Sequence, residues 1–136
     1  MEKINCAILI DDDDITLFVH ENVLRKSNVT DDIRIAKNGS SGIKVLEDFS
    51  ETHSNHCPEL IFLDLNMPIT NGFEFLDYFQ TRDFVNKDRV RICLLTNSSQ
   101  KKFIDEKVVP LNAYYLPKPL TLKSIQEILE KERGKV

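Results

Sequence analysis

Apolar residues gather in five short runs along the chain, and each run has the length of a β-strand. The stretches between the runs are more polar and carry apolar residues at helical spacing. The runs, which we predict to be strands, are Ile4 to Ile10, Ile33 to Ala36, Leu60 to Leu65, Val90 to Leu95 and Ala113 to Leu116. The predicted helices are Ile15 to Lys26, Ser41 to Phe49, Phe73 to Gln80, Gln100 to Val108 and Leu122 to Arg133. The pattern therefore predicts an α/β domain in which a strand is followed by a helix five times.

The composition of the runs predicts their order in the sheet. The first, third and fourth runs are almost continuously apolar, as expected of central parallel strands that helices cover on both faces. The second run alternates apolar and polar residues, and the fifth carries two tyrosines and is followed by Pro117. Both features favour the edges of a sheet. We expect a doubly wound, five-stranded parallel sheet of order 2-1-3-4-5.

Two segments carry expectations of their own. The first predicted helix should cover one face of the sheet with an apolar stripe drawn from the i, i+3 and i+4 neighbours among Ile15, Leu17, Phe18, Val19, Val23 and Leu24. His20 lies in the same helix, and we interpret it as a surface or helix-packing residue outside the functional pocket. Ser50 to Pro58 is polar, and we predict a long loop there.

Composition narrows the classes of function. The chain has 136 residues, enough for one domain with a real core. A net charge of −4 favours neither nucleic acid nor an anionic membrane as a partner. No apolar run approaches the roughly 18 residues of a membrane span, and the first residues of the sequence lack the basic and then apolar pattern of a signal peptide. Its three cysteines are an odd number, which argues against a disulfide framework. We expect a cytoplasmic protein whose partners are proteins or small ions.

Polar residues that could bind ions or take part in catalysis follow or end the predicted strands. Asp11 and Asp12 follow the first strand, Asp64 follows the apolar part of the third, Thr96 follows the fourth and Lys118 follows the fifth. In an open parallel sheet the functional crevice lies outside the carboxyl ends of the strands, where the strand order reverses. We therefore expect these five side chains to share one pocket. The next two carboxylates, Asp13 and Asp14, are expected to cap and start the first helix.

Three carboxylates in a partly buried cleft repel one another unless a cation joins them. Carboxylate and carbonyl oxygens are the ligands of Mg²⁺, which binds through one or two carboxylates together with a phosphate. One carboxylate could then act as a nucleophile toward a phosphoryl group. Lys118 would offset the charge on the phosphoryl oxygens, and the Thr96 hydroxyl could donate a hydrogen bond to one of them.

The chain resembles the receiver domains of two-component response regulators. The matching segments are Ile-Leu-Ile-Asp-Asp-Asp, Leu-Ile-Phe-Leu-Asp-Leu-Asn-Met-Pro-Ile-Thr-Asn-Gly, Ile-Cys-Leu-Leu-Thr-Asn and Tyr-Tyr-Leu-Pro-Lys-Pro-Leu. The resemblance implies a flavodoxin-like (βα)5 fold with Asp64 as the phosphoacceptor. It also implies that Asp11, Asp12, Asp64 and the main-chain carbonyl of Asn66 arrange Mg²⁺, that Thr96 and Lys118 contact the phosphoryl group, and that Tyr115 is a switch aromatic. A cis peptide bond before Pro119 is implied as well.

From this resemblance we expect residues 1–136 to form a single receiver domain without an output domain. Asp64 would accept a phosphoryl group from a phosphohistidine on a sensor histidine kinase or a phosphotransfer protein. The protein would catalyse only its own phosphorylation and dephosphorylation, and is otherwise not expected to be an enzyme. Its signal would leave through contact with a downstream protein at the fourth helix, fifth strand and fifth helix, from Ser99 to Lys131.

Three other interpretations of these residues are less well supported. A receiver-like docking module that works without phosphorylation would need none of Asp64, Thr96 and Lys118. A Mg²⁺-dependent phosphohydrolase with an aspartyl nucleophile would resemble haloacid-dehalogenase-like enzymes, which carry Asp-x-Asp at the nucleophile, whereas this chain has Asp64-Leu-Asn66. A zinc site at His53, His56 and Cys57 lacks a fourth ligand nearby.

Overall fold

A computed structural model describes residues 4, 6–52, 60–64, 72–81, 90–96 and 113–133. The strands are β1 (Ala7–Ile10), β2 (Ile33–Ala36), β3 (Leu60–Asp64), β4 (Arg91–Thr96) and β5 (Tyr114–Pro117). The helices in these ranges are α1 (Asp14–Ser27), α2 (Gly39–Thr52), α3 (Gly72–Thr81) and the C-terminal helix (Leu122–Arg133). Each element falls on a predicted one, while the predicted helix from Gln100 to Val108 lies outside the described residues. No helix in the described part of the chain is long and apolar enough to cross a membrane.

The five strands form one parallel sheet with the order β2-β1-β3-β4-β5, which confirms the predicted topology. All residues of β1 and β3 are buried, as central strands between two helical layers require. In β2 only Ala36 is fully buried, because nothing pairs with the outer edge of this strand in the described sheet. The strand order reverses between β1 and β3, and the carboxyl ends of these two strands therefore define the predicted crevice.

Each face of the sheet packs against its own layer of helices. Successive strand residues point to opposite faces, so Ile8 and Ile10 belong to one core cluster and Ala7 and Leu9 to the other. The first cluster takes its helical members from α2 and α3, and they are Leu46, Phe75, Leu76 and Phe79. The second takes them from α1 and the C-terminal helix, and they are Leu17, Leu24, Ile125, Ile128 and Leu129. Cys6 is buried in the first cluster and Cys93 in the second, where each fills space as a small apolar side chain.

Helix α1 begins at the acidic run and turns a narrower face to the core than expected. Asp13 is the N-cap, and its side chain accepts a hydrogen bond from the Thr16 N–H at 3.3 Å, as predicted. The predicted apolar stripe is wrong in part, because the side chains of Ile15 and Phe18 are 74% and 68% exposed. The buried residues of α1 are Leu17, His20 and Leu24, whose spacing of three and four places them on one side of the helix.

Helix α2 is longer at both ends than the sequence pattern indicated. Its start is capped by Asn38, whose side-chain oxygen accepts a hydrogen bond from the Ser41 N–H at 2.8 Å. It continues to Thr52, so the prediction of a loop beginning at Ser50 is wrong. No glycine or proline follows Gly42 before Pro58, and nothing in the local sequence ends the helix at Phe49. The rest of the predicted loop, residues 53–58, lies outside the described part.

Candidate functional site

The carboxyl ends of three strands bring two acids and a lysine together. β1 and β3 are adjacent, and Ile10 is in register with Leu63. The next residues, Asp11 and Asp64, are therefore neighbours at the edge of the sheet. Lys118 follows β5 and reaches back across the end of β4 toward both acids. The pocket thus lies where the strand order reverses, at the position expected for the ligand site of an open parallel sheet.

Lys118 makes an ion pair with each of the two buried acids. Its Nζ lies 3.0 Å from Oδ2 of Asp64 and 3.4 Å from Oδ2 of Asp11. Both carboxylates are 3% exposed, whereas the lysine side chain is 29% exposed. Burial of this kind is costly for a lone carboxylate, and the ammonium group offsets part of the cost. Lys118 therefore holds a positive charge at the mouth of an otherwise acidic pocket.

Asp12 completes a group of three carboxylates that could hold a metal ion. One oxygen each from Asp11, Asp12 and Asp64 lies within 4.8 Å of the others. Asp12 is exposed, and the cluster is therefore open to solvent on one side. Oδ1 of Asp11 accepts a hydrogen bond from the Asp13 N–H at 3.0 Å. Its other oxygen, Oδ2, is buried and accepts no hydrogen bond within the described part of the chain, although the Lys118 ammonium lies 3.4 Å away as its ion-pair partner. A hard cation would satisfy this oxygen, so the donor set fits Mg²⁺.

The electrostatics of the pocket agree with an incomplete balance of charge. Burial raises the pKa of Asp11, the Asp13 N–H and Lys118 oppose this change, and Asp64 reinforces it. Burial lowers the pKa of Lys118, but its contacts with Asp64 and Asp11 outweigh burial and leave that pKa raised. The lysine is therefore charged at neutral pH, and three carboxyl groups share this single ammonium group in the described pocket. Such a pocket can attract a divalent cation and a phosphoryl group together.

The other predicted site residues are described only in part. Thr96 ends β4, and its backbone is in register with Pro117, directly before Lys118. Tyr115 lies on β5 with 41% of its surface exposed, while its neighbour Tyr114 packs against the core cluster that includes Leu116. One tyrosine therefore faces the core and one faces outward, as alternation along a strand predicts. The side chain of Thr96 and the whole of Asn66, His53, His56 and Cys57 lie outside what the structure describes.

One residue near the site has a hydrogen-bond partner that the sequence did not indicate. His20 is 1% exposed, and its Nε2 accepts a hydrogen bond from the Leu120 N–H at 3.1 Å. Leu120 comes two residues after Lys118, and the peptide bond between Lys118 and Pro119 is cis, as the resemblance implied. His20 is thus a helix-packing residue, one of the two predicted alternatives, and its bond to Leu120 places it beside the segment that carries Lys118. The sequence signal for the burial of His20 was its spacing from Leu17 and Leu24, which places its polar ring on the buried side of α1.

Comparisons with known proteins agree with this geometry. The family model described as "Response regulator receiver domain" matches residues 7–130. The chain is similar to hybrid signal transduction histidine kinase A of Dictyostelium discoideum, with 24% identity over 129 residues. That match covers 94% of this chain and 6% of the kinase, so the chain spans a small fraction of this curated relative.

Two solved structures illustrate the structural similarity. A two-component response regulator from Cytophaga hutchinsonii is 28% identical and has a TM-score of 0.79, and the match covers 96% of this chain and 97% of the other. The second is the receiver domain of the Saccharomyces cerevisiae response regulator Ssk1, crystallised with the histidine phosphotransfer protein Ypd1. It is 22% identical with a TM-score of 0.70, and the match covers 93% of this chain and 86% of that one. The second similarity supports the fold alone.

Proposed function

The chain belongs to the family of response regulator receiver domains of two-component signalling, and we propose that Asp64 is its phosphoacceptor. The observation that carries this proposal is the position of the Asp64 carboxylate. It is buried at the end of β3, lies beside two further acids and is 3.0 Å from the Lys118 ammonium. A carboxylate so placed has a charge partner on the side from which phosphoryl oxygens would be held.

The proposed reaction transfers one phosphoryl group. A carboxylate oxygen of Asp64 attacks the phosphorus of a phosphohistidine, a new O–P bond forms and the P–N bond breaks. The departing imidazole nitrogen keeps the electron pair of the broken bond, so the donor ring becomes neutral after any required proton exchange with water. Lys118, already within 3.0 Å of Asp64, would move its charge onto the phosphoryl oxygens as they arrive. Hydrolysis of the acyl phosphate would return the carboxylate, so the protein would act only on itself.

We propose Mg²⁺ as the ion held by the acidic cluster, through Asp11, Asp12, Asp64 and the main-chain carbonyl of Asn66. Two features support this assignment: the buried Oδ2 of Asp11 is paired with Lys118 but accepts no hydrogen bond in the described part of the chain, and the cluster is open at Asp12. When bound, the ion would reduce the repulsion between the carboxylates and the incoming phosphoryl oxygens. The roles of the protein residues are to bind the ion and to orient the Asp64 carboxylate.

The donor in this proposal is a sensor histidine kinase or a phosphotransfer protein. The match to the receiver-domain family over residues 7–130 supports a donor of that class, and the yeast receiver domain crystallised with a histidine phosphotransfer protein is an example with the same fold. The acids and Lys118 meet at the carboxyl edge of the sheet, where the exposed Asp12 leaves the pocket accessible to a protein-bound phosphohistidine.

The proposed output is a population shift that a downstream protein reads. Tyr115 is 41% exposed on β5, and inward rotation of its ring would change the surface formed with the C-terminal helix. Thr96, in register with Pro117, would move toward the phosphoryl group and leave space for that ring. Phosphorylation can shift these states only by the difference in free energy with which it stabilises them. The surface from Ser99 to Lys131 is the proposed contact for the downstream protein.

Intact-mass analysis after incubation with acetyl phosphate tests the proposal. Wild type should gain one phosphoryl group only when Mg²⁺ is present, and Asp64→Asn should gain none. Asp14→Asn is the matched control, because Asp14 is an exposed acid that pairs with Lys37 on the surface. No adduct on wild type, together with no binding of beryllofluoride, would favour the phosphorylation-independent docking module. Turnover of a generic phosphomonoester that Asp64→Asn abolishes would instead favour the phosphohydrolase.

A further inference from the structure

His20 is a buried imidazole that the proposed phosphoryl chemistry does not use. It lies on the core side of α1 between Leu17 and Leu24 and is 1% exposed. A polar ring that is buried among apolar side chains is destabilising unless its nitrogen atoms find partners. Its location therefore needs an explanation beyond packing, since leucine would fill a similar space without this cost.

The partner of the ring is a backbone group at the edge of the site. Nε2 of His20 accepts a hydrogen bond from the Leu120 N–H at 3.1 Å, over a sequence separation of 100 residues. Leu120 is 1% exposed, so water could not easily replace the histidine as the acceptor. The bond joins α1 to the connection between β5 and the C-terminal helix. Without it, a buried N–H would lose its acceptor, and the connection would have reason to move.

This connection carries Lys118, whose backbone is fixed on both sides. Before Lys118, Pro117 is held in the sheet opposite Thr96. After Lys118, Leu120 is held by His20, with only Pro119 between. The lysine stem has a fixed length of four carbons, so the position of its Cα limits where the ammonium can lie. In this structure the ammonium is 3.0 Å from Asp64 and 3.4 Å from Asp11, and a shift of the backbone would change its position relative to both acids unless the stem adopted other rotamers.

The ring can serve as an acceptor because it is neutral. Burial lowers the pKa of His20, the positive charge of Lys118 lowers it further, and Asp64 opposes these effects. At neutral pH the proton therefore resides on Nδ1, and Nε2 is free to accept from Leu120. Lys118, which the His20–Leu120 hydrogen bond helps to place, thus helps to keep the imidazole ring of His20 neutral.

We propose that His20 is a positioning residue that holds the Leu120 backbone and thereby sets the place of the Lys118 ammonium between Asp64 and Asp11. The inference rests on the proposed function, because the consequence of a misplaced ammonium is slower phosphoryl uptake by Asp64. His20 contacts neither acid and acts only through the chain segment that carries Lys118.

A double-mutant cycle on the rate of phosphorylation by acetyl phosphate with Mg²⁺ tests this role. His20→Leu should slow uptake on the order of tenfold, since small misplacements of a catalytic group have effects of this size or larger. His20→Gln should stay close to wild type, because its carboxamide oxygen can accept the Leu120 N–H. In a Lys118→Met background, His20→Leu should cause no further slowing. Equal slowing in both backgrounds, or no slowing in either, would overturn the proposal, because a general structural defect is additive.

A second measurement needs no phosphoryl uptake and separates this inference from the proposed function. In protein with ¹³C-labelled lysine, the side-chain signals of Lys118 are assigned by their absence in Lys118→Met. They should move in His20→Leu and stay in His20→Gln, and signals that stay in both variants would contradict the role of His20. If His20→Leu does not fold, NMR spectra of wild type with ¹⁵N-labelled histidine test the tautomer of His20 and its hydrogen bond to Leu120. An Nδ1-protonated ring with Nε2 coupled to the Leu120 amide is expected, and the opposite tautomer would overturn the proposal.

Discussion

Lys118 and Asp64 form an ion pair of 3.0 Å between residues that follow β5 and end β3, so it spans the end of β4. Asp11, which follows β1, is 3.4 Å from the same ammonium. One lysine is therefore the charge partner of acids from two strands. If the ammonium leaves, both buried carboxylates lose the cation that offsets their burial.

Removal of this cation should reduce both activity and stability. Lys118→Met is expected to slow phosphorylation by acetyl phosphate by about tenfold or more. It should also lower the free energy of unfolding without Mg²⁺ by about 1–3 kcal/mol, because two buried acids lose their partner. The rate by intact mass and the stability by urea unfolding check the two effects. Lys37→Met is the control, because the Lys37–Asp14 pair is exposed and such pairs contribute little. Equal effects of Lys118→Met and Lys37→Met would contradict the role of Lys118 as the charge partner of the two buried acids.

Mg²⁺ should stabilise the folded protein through Asp11. At one hundred times its Kd, an ion that binds only the folded state adds about 2.7 kcal/mol to the free energy of unfolding. Asp11→Asn should lose most of this gain. Without the ion, Asp11→Asn should be more stable than wild type at neutral pH, because burial raises the pKa of Asp11 above its unfolded value of 3.8. A group of this kind contributes stability below pH 3.8 and loses it as pH rises through its folded pKa.

Urea unfolding of wild type, Asp11→Asn and the surface variant Asp14→Asn, each with and without Mg²⁺, measures both effects. Wild type and Asp14→Asn should respond to the ion alike. If Asp11→Asn gained as much stability from Mg²⁺ as wild type, the ion would be bound elsewhere.

The pKa of His20 predicts a pH dependence of opposite sign. Folding lowers this pKa below its ordinary value of 6.5, mainly through burial and then through Lys118, with Asp64 opposing. The unfolded chain therefore binds the extra proton first, and the contribution to stability is complete above pH 6.5 and is lost as pH falls through the folded pKa. Wild type should lose more stability than His20→Gln between about pH 8 and about pH 5.5. Parallel curves for the two proteins in urea unfolding would show that His20 is not the group responsible.

Gly42 is predicted to tolerate no side chain. A Cβ there would lie 2.6 Å from Cδ1 of Ile10 and 3.2 Å from Cε2 of Phe75, both fully buried. Overpacking costs about 1–3 kcal/mol, which should exceed the gain of about 1 kcal/mol from alanine in a helix. Gly42→Ala should therefore lower the free energy of unfolding, whereas Lys44→Ala on the exposed side of α2 should change it little. Because Ile10 precedes Asp11, Gly42→Ala should also slow phosphorylation. An increase in stability would mean that α2 can shift away from β1.

The strands and their order were predictable because a strand that is buried on both faces is apolar at successive positions. Ile8 to Ile10 and Leu60 to Leu63 are continuous apolar runs, and only central strands need them. The convergence of Asp11, Asp64 and Lys118 followed from topology alone, since all three come at the carboxyl ends of parallel strands.

The faces of the helices were less predictable. In α1, apolar residues occur on more than one side, so the spacing of Ile15 and Phe18 was compatible with a buried stripe that the fold does not use. The partner of His20 was not predicted, because it is a backbone N–H 100 residues away, which no local pattern contains. The end of α2 at Thr52 was missed because polar residues such as Ser50 and Glu51 are compatible with both a loop and an exposed helix.

The most direct test of the central claim is to locate the phosphoryl group chemically. Borohydride reduces an aspartyl phosphate to homoserine, so wild type is treated with acetyl phosphate and Mg²⁺, reduced and mapped by peptide mass spectrometry. We expect homoserine at position 64 alone, and unmodified Asp64 when Mg²⁺ or acetyl phosphate is omitted. Homoserine at Asp11 or Asp12 instead, or none at any position in protein that remains folded, would contradict the assignment of Asp64 as the phosphoacceptor.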